Sequence, residues 1–157
     1  MPIEFVTGDA TRPIGEGSKV IVHVCNDIGV WGKGFVMALS KRWKEPEKSY
    51  RRWHRNRETE QFHLGAVQFV NVETQICVAN LIGQRDIYRK NGIAPIRYPA
   101  IGEGLECVAR FAVENEATVH MPRIGCGLAG GIWNQIEPLI ESALCSQGIL
   151  TFVYDLP

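Results

Sequence analysis

Apolar and polar positions recur at two periods along this chain, and the switches between them lay out its elements. Ile3–Val6 alternates, as a half-buried strand does. Val20–Cys25 is β-branched and almost wholly apolar, which predicts a strand buried on both faces in the middle of a sheet. Phe35–Trp43 moves to the helical period, with Phe35, Ala38, Leu39 and Trp43 on one side, and Pro46 breaks it. A second helix restarts over Pro46–Arg57 with Tyr50 and Trp53 turned inward. Leu64–Val70 and Gln75–Ala79 predict two short strands joined by a hairpin turn at Asn71–Thr74. Asp86–Pro95 is polar and predicts a mobile loop, free to cover a site. Ile101, Leu105, Val108, Ala109 and Ala112 mark a helix over Ala100–Ala112, with a start weakened by Gly102 and Gly104. Ala117–Met121 is a short apolar strand. Ile132, Ile136, Leu139, Ile140, Ala143 and Leu144 fall at helical spacing until Gly148 stops them, and Ile149–Tyr154 closes the chain as a strand.

About six strands and three or four helices, alternating in the second half, predict a mixed sheet flanked by helices in a single α/β domain over 1–157. A chain of 157 residues, 45% hydrophobic and 22% charged, is long enough to bury a sizeable core. Its net charge of zero argues against nucleic acid or an anionic membrane as a general partner. The basic run Lys48–Arg57 is then best read as a solvated helix face. No apolar run reaches the length of a membrane-spanning helix, and the first residues carry no signal-peptide pattern. Five scattered cysteines, none in a C-x-x-C pair, suggest a reduced, cytoplasmic setting, and no zinc-ligand spacing is present.

Candidate chemistry concentrates in two glycine-rich stretches, each at the carboxyl end of a predicted strand and each feeding a helix. They are Asn26–Phe35, with Gly29, Gly32 and Gly34, and Met121–Trp133, with Gly125, Gly127, Gly130 and Gly131. Such loops admit a ligand close to the backbone and aim free N–H groups and a helix dipole at it; the natural guest is a phosphate. Ligands of α/β sheets sit at the carboxyl ends of strands. Asn26 offers a donor and an acceptor that suit ribose hydroxyls, or it bonds the loop backbone. Asp9 caps its own turn, or it accepts hydrogen bonds from a ligand amine. His23 is a core histidine or a catalytic one, and Cys126 is a small packing residue or a thiol activated by the helix N-terminus.

Gly8-Asp9-Ala10-Thr11, Asn26 with Gly29–Phe35, and Pro122-Arg123-Ile124-Gly125-Cys126-Gly127-Leu128 together resemble the macro domain, the ADP-ribose-binding module, across essentially the whole chain. The combination is similar to the branch holding the terminal ADP-ribose protein glycohydrolases and the yeast ADP-ribose-1''-phosphate phosphatase. The resemblance implies a three-layer α/β/α fold and no cofactor. It implies that Asp9 accepts the adenine amine beside the Ala10 amide and that Asn26 holds the distal ribose. Gly29, Trp31, Gly32, Gly34 and Phe35 would lie along that ribose and its phosphate. Ile124, Gly125, Cys126, Gly127, Leu128, Ala129 and Gly130 would wrap the pyrophosphate, and Tyr154 would sit against adenine.

The departures bear on chemistry. Macro hydrolases of the deacetylase type carry an Asn-x-x-Asn pair and an Asp after the first glycine loop; here His23 and Val36 stand near those places. Glycohydrolases of the nearer branch use a Lys and an Asp where this chain has Gln84 and Ala129. Neither Gln nor Ala can form a sugar adduct or act as a base. Two classes of function follow. One is an enzyme that removes a phosphate or acyl group from the distal ribose of ADP-ribose, with His23 exchanging protons, Lys33 steadying a leaving oxyanion and Asp27 within reach. The other is a reader that binds free or protein-linked ADP-ribose and does no chemistry.

Overall fold

Lys19–Asn26 is the strand around which the layers form. The computed structural model describes all residues, Met1–Pro157. Its strands are β1 (Glu4–Thr7), β2 (Lys19–Asn26), β3 (Val67–Glu73), β4 (Ile76–Gln84), β5 (Thr118–Met121) and β6 (Thr151–Asp155). They form one six-stranded sheet in the order β1-β6-β5-β2-β4-β3. Every pairing is parallel except the β3–β4 hairpin. The four helices are α1 (Phe35–Arg42), α2 (Glu45–Arg55), α3 (Tyr98–Asn115) and α4 (Trp133–Ala143). No helix is long and apolar enough to cross a membrane.

Side chains of β2 point alternately to the two faces. Val20 and Val22 join a core of 20 buried residues with α3 and α4, and Ile21 and Cys25 join one of 9 with α1 and α2. The expected mixed α/β sheet with helices on both faces is the fold observed.

Three elements differ from the sequence reading, each for a local reason. The hairpin turn is shorter than expected: β3 runs on to Glu73 through an irregularity between Asn71 and Glu73. β4 continues past Ala79 to Gln84, because Asn80, fully buried, has polar partners inside the protein. α3 begins at Tyr98 and carries both glycines in its first turns. At Gly104 a Cβ would overlap the Leu81 side chain, so glycine here brings the helix against β4. The 86–95 segment is tied down. Asp27 Oδ1 accepts the Asp86 N–H at 2.7 Å, Arg85 and Pro95 pair through backbone, and Lys90 and Ile93 bond each other.

Candidate functional site

At its carboxyl end β2 loses register with β4 between Cys25 and Asn26, and the chain leaves the sheet as the first glycine loop. Asn26 shapes that loop. Its Oδ1 accepts the N–H groups of Ile28 and Val30, each at 3.1 Å, and its Nδ2 donates to the Val30 carbonyl at 2.7 Å. Helix α2 holds the same loop from behind. Tyr50 Oη donates to Asn26 and accepts the Gly29 N–H at 3.1 Å. Arg51 donates to the carbonyls of Gly29 and Trp31. Gly29 has φ +79°, and a Cβ there would strike the His54 ring, so this glycine serves packing. Beyond these braces, the N–H groups of Gly32, Lys33, Gly34 and Phe35 have no acceptor within the protein. No side chain caps α1 at Gly34, so its dipole faces outward unscreened.

The second loop, between β5 and α4, is held mainly by its own backbone, with the Tyr98 hydroxyl accepting the Ile132 N–H at 3.1 Å. The Gly131 N–H donates to the Gly125 carbonyl at 2.7 Å, Gly130 to Gly127 at 3.0 Å, and Cys126 to Arg123 at 3.3 Å. Gly125 has φ +71°, with the Ile96 methyl where its Cβ would lie. The Ile96 N–H ties the chain after the 86–95 segment to the Ala129 carbonyl at 3.1 Å. The N–H groups of Ile124, Gly125, Gly127, Leu128 and Ala129 are left without an internal acceptor.

The two loops face each other across two adjoining hollows. The smaller, about 200 Å³, is lined by Lys33, Gly34 and Phe35 on one side and Ile124, Gly125, Gly127, Leu128 and Ala129 on the other, with His23 also in its wall. The larger, about 410 Å³, is bounded by Asn26, Trp31, Gly32, Lys33 and Leu128. Val24, Val36 and Gln84 line both, and Tyr88 reaches the larger from the 86–95 segment. Val24 and Tyr88 are not among the sequence candidates for the site, and Val36 and Gln84 enter only as departures from the family's catalytic pattern. Val24 looks like ordinary core, and only the end of a central strand marks it.

Several sequence candidates have other roles. Asp27 lines neither hollow and holds the Asp86 amide, because the shift at the end of β2 turns it toward β4. Tyr154 is 4% exposed, and its hydroxyl pairs with the Ile14 N–H and with His120, so its ring is not free at the mouth of the cleft. Asp155 is the more open neighbour. Arg123 bridges to it at 2.7 Å, holding its carboxyl below the usual range, and lies over the rings of Phe5 and Trp133. Asp9 Oδ1 accepts the N–H and hydroxyl of Thr11, as a turn-capping Asp does, and Ala10 is buried. Gly130 packs against Ala94. Burial pushes the Cys126 thiol up, with Arg123 pulling it down less strongly, so the activated thiol is not found. No group of three His, Cys, Asp or Glu side chains is placed to hold a metal ion.

His23 is 2% exposed and sits edge-on to Trp31 and against Phe35. Burial lowers its pKa to about 4, outweighing the opposing effect of the hydrogen bond to Asn80 Oδ1. That shift favours a neutral ring between pH 5 and 8 and so weighs against the proton exchange expected of it in that range. Lys33 is exposed at the rim, and no salt bridge engages it.

Sheet, helices and cleft define a class: an α/β domain whose ligand groove crosses the carboxyl ends of parallel strands between two runs of free N–H groups. No family model matches the chain. A macrodomain protein from Streptomyces coelicolor is 55% identical, with 98% of each chain covered and a TM-score of 0.88. The chain belongs to the macrodomain family. It is 36% identical, over 99% of its length, to the chromodomain-helicase-DNA-binding protein 1-like of Mus musculus, and it spans only 18% of that protein. The ADP-ribose 1''-phosphate phosphatase of Candida albicans is 24% identical over 88% of this chain and 92% of its own. The fold is shared with Thermosipho africanus DarTG, solved in complex with ADP-ribose, at 18% identity and a TM-score of 0.72; 89% of this chain and 38% of that one are covered.

Proposed function

We propose that this domain binds ADP-ribose, free or as the ADP-ribosyl group of a larger molecule, in the cleft between its two glycine loops. The observation that carries the reading is the facing pair of unpaired N–H runs, at Gly32–Phe35 and at Ile124–Ala129 without Cys126. A pyrophosphate presents acceptor oxygens to both sides at once, and backbone N–H groups at a helix start suit it without a metal. Lys33 adds a positive charge at the rim, and the apolar floor of Val24 and Val36 suits the ribose edge. The ADP-ribose bound to Thermosipho DarTG supports the same ligand here. Calorimetric titration with ADP-ribose tests it. Saturable one-to-one binding, weakened by Lys33→Ala, is expected, and absence of binding at millimolar ligand overturns the reading.

A second reading adds chemistry: removal of the group carried on the distal ribose. The Candida phosphatase supports it. In this reading Lys33 steadies the departing oxyanion. Release of phosphate or of an acyl group from the matching ADP-ribose derivative, slowed by Lys33→Ala, is the expected result; binding without release leaves a reader domain.

A further inference from the structure

The outer face of α2 carries a row of positive charge that nothing in the protein balances. Pro46, Tyr50 and Trp53 turn inward and are buried. At about 100° per residue, Lys44, Lys48, Arg52 and Arg55 fall on the opposite side, each about one helical turn from the next. All four are exposed, and none is in a salt bridge. Glu47 of the same helix is taken by Arg51, and Glu45 stands in the first turn. Net neutrality suggests a plain solvated face here, yet it hides a segregation of charge. Residues 41–57 hold eight of the chain's 17 Lys and Arg and two of its 17 Asp and Glu. A solvated helix gains from opposite charges one turn apart, whereas here Lys44 faces Lys48, Lys48 faces Arg52 and Arg51 faces Arg55. Lys44 also stands at the positive end of the helix dipole. The helix keeps a charge pattern that works against its own stability, and a partner of opposite charge relieves it.

We infer that this face of α2 binds the sugar–phosphate backbone of a nucleic acid, by charge and without reading its sequence. A polynucleotide is a line of phosphates, and a row of four cations at turn spacing complements it. Tyr50 and Trp53 are buried, so the face offers bases no aromatic ring to stack on. A membrane surface fits less well. A helix lying in an interface turns its apolar face to the lipid, and that face of α2 is sealed in the core. None of the four cations lines either hollow, so the row is separate from the cleft and the inference stands apart from the ADP-ribose reading. The same helix braces the first glycine loop through Tyr50 and Arg51. A nucleic acid on its outer face therefore lies about 10 Å, one helix diameter, from the wall of the cleft.

Fluorescence anisotropy with a labelled DNA duplex of about 20 base pairs tests it on the whole chain. Four phosphate contacts predict a slope of about −3.6 for log affinity against log salt, so binding is expected to weaken roughly a hundredfold from about 50 to about 200 mM salt. A duplex of unrelated sequence is expected to bind equally well. Arg52→Glu is expected to weaken binding about tenfold or more at about 0.1 M salt. Arg110→Glu, the same charge change at an exposed position of α3, is expected to leave it within about twofold. Should Arg52→Glu fail to fold, Lys48→Gln combined with Arg52→Gln carries the same comparison. Saturating ADP-ribose is expected to leave the duplex bound. No binding of the duplex at about 50 mM salt, equal losses from the two reversals, displacement by ADP-ribose, or capture by phosphatidylserine vesicles without binding of the duplex overturns the inference. Each of these outcomes leaves the ADP-ribose reading to its own titration.

Discussion

The two glycine loops reach the same end by opposite means. The loop after β2 is shaped by side chains: Asn26 within it, and Tyr50 and Arg51 from α2 behind it. The loop after β5 is shaped by missing side chains, since Gly125 and Gly131 let backbone cross backbone and Ile96 fill the space of a Cβ. Both leave a run of N–H groups free toward one cleft. On the proposed reading the phosphate cradle is thus a property of backbone geometry, and the residues that enforce it differ between the two sides.

Acid strikes both loops alike. His23 packs under the first loop, and His120 lies on β5, which leads into the second. Burial lowers the pKa of each from 6.5 to about 4, so the unfolded chain binds more protons between those values. Stability is complete above pH 6.5 and falls as pH drops toward 4, by on the order of 3 kcal/mol per histidine. Urea unfolding across this range is expected to show the loss, and replacing either histidine with an uncharged residue should flatten the profile.

Gly131→Ala separates the loops. A Cβ there meets the Gly125 carbonyl, a backbone atom that cannot swing aside. The cost is expected at about 3 kcal/mol in thermal or urea unfolding, with ADP-ribose affinity lost, because the second loop depends on its own backbone bonds, with only the Tyr98 hydroxyl on Ile132 to hold it from outside.

Tyr50→Phe is the matching change on the first side. It removes one hydroxyl that serves Asn26 and Gly29, while Asn26 keeps its own bonds to the loop. Destabilisation of about 1 kcal/mol and a loss of affinity of a few-fold are expected, since the brace is redundant. Equal losses from Tyr50→Phe and Gly131→Ala would erase the distinction drawn between the loops.

Lys33→Ala is the mildest. The side chain is exposed and in no salt bridge, so stability should change by less than about 0.5 kcal/mol while ADP-ribose affinity falls and loses salt dependence.

The fold was legible where periodicity is strong. Val20–Cys25 declared a central strand, and the apolar spacing from Ile132 to Leu144 declared the last helix. Reading failed where an internal partner overrides local propensity. Asn80 looks like a turn residue until Gln68 and His23 are seen beside it, and Gly104 looks like a helix breaker until Leu81 is. The same holds for the site. The loops announce themselves by glycine content, yet no local pattern shows that Tyr50, 24 residues away, binds Asn26, or that the hydroxyl of Tyr154 is taken by Ile14 and His120. Of the residues that join the two hollows, Val24 carries no signal beyond its place near a strand end, while Val36 and Gln84 stand out only against the catalytic pattern of related hydrolases.

In the proposed complex one ligand engages both N–H runs together. Proton–nitrogen correlation spectra recorded during titration with ADP-ribose test it most directly. Saturable shifts, with one common dissociation constant, are expected for the amides of Gly32–Phe35 and of Gly125, Gly127, Leu128 and Ala129. No saturable change, or changes confined to one loop, would contradict it.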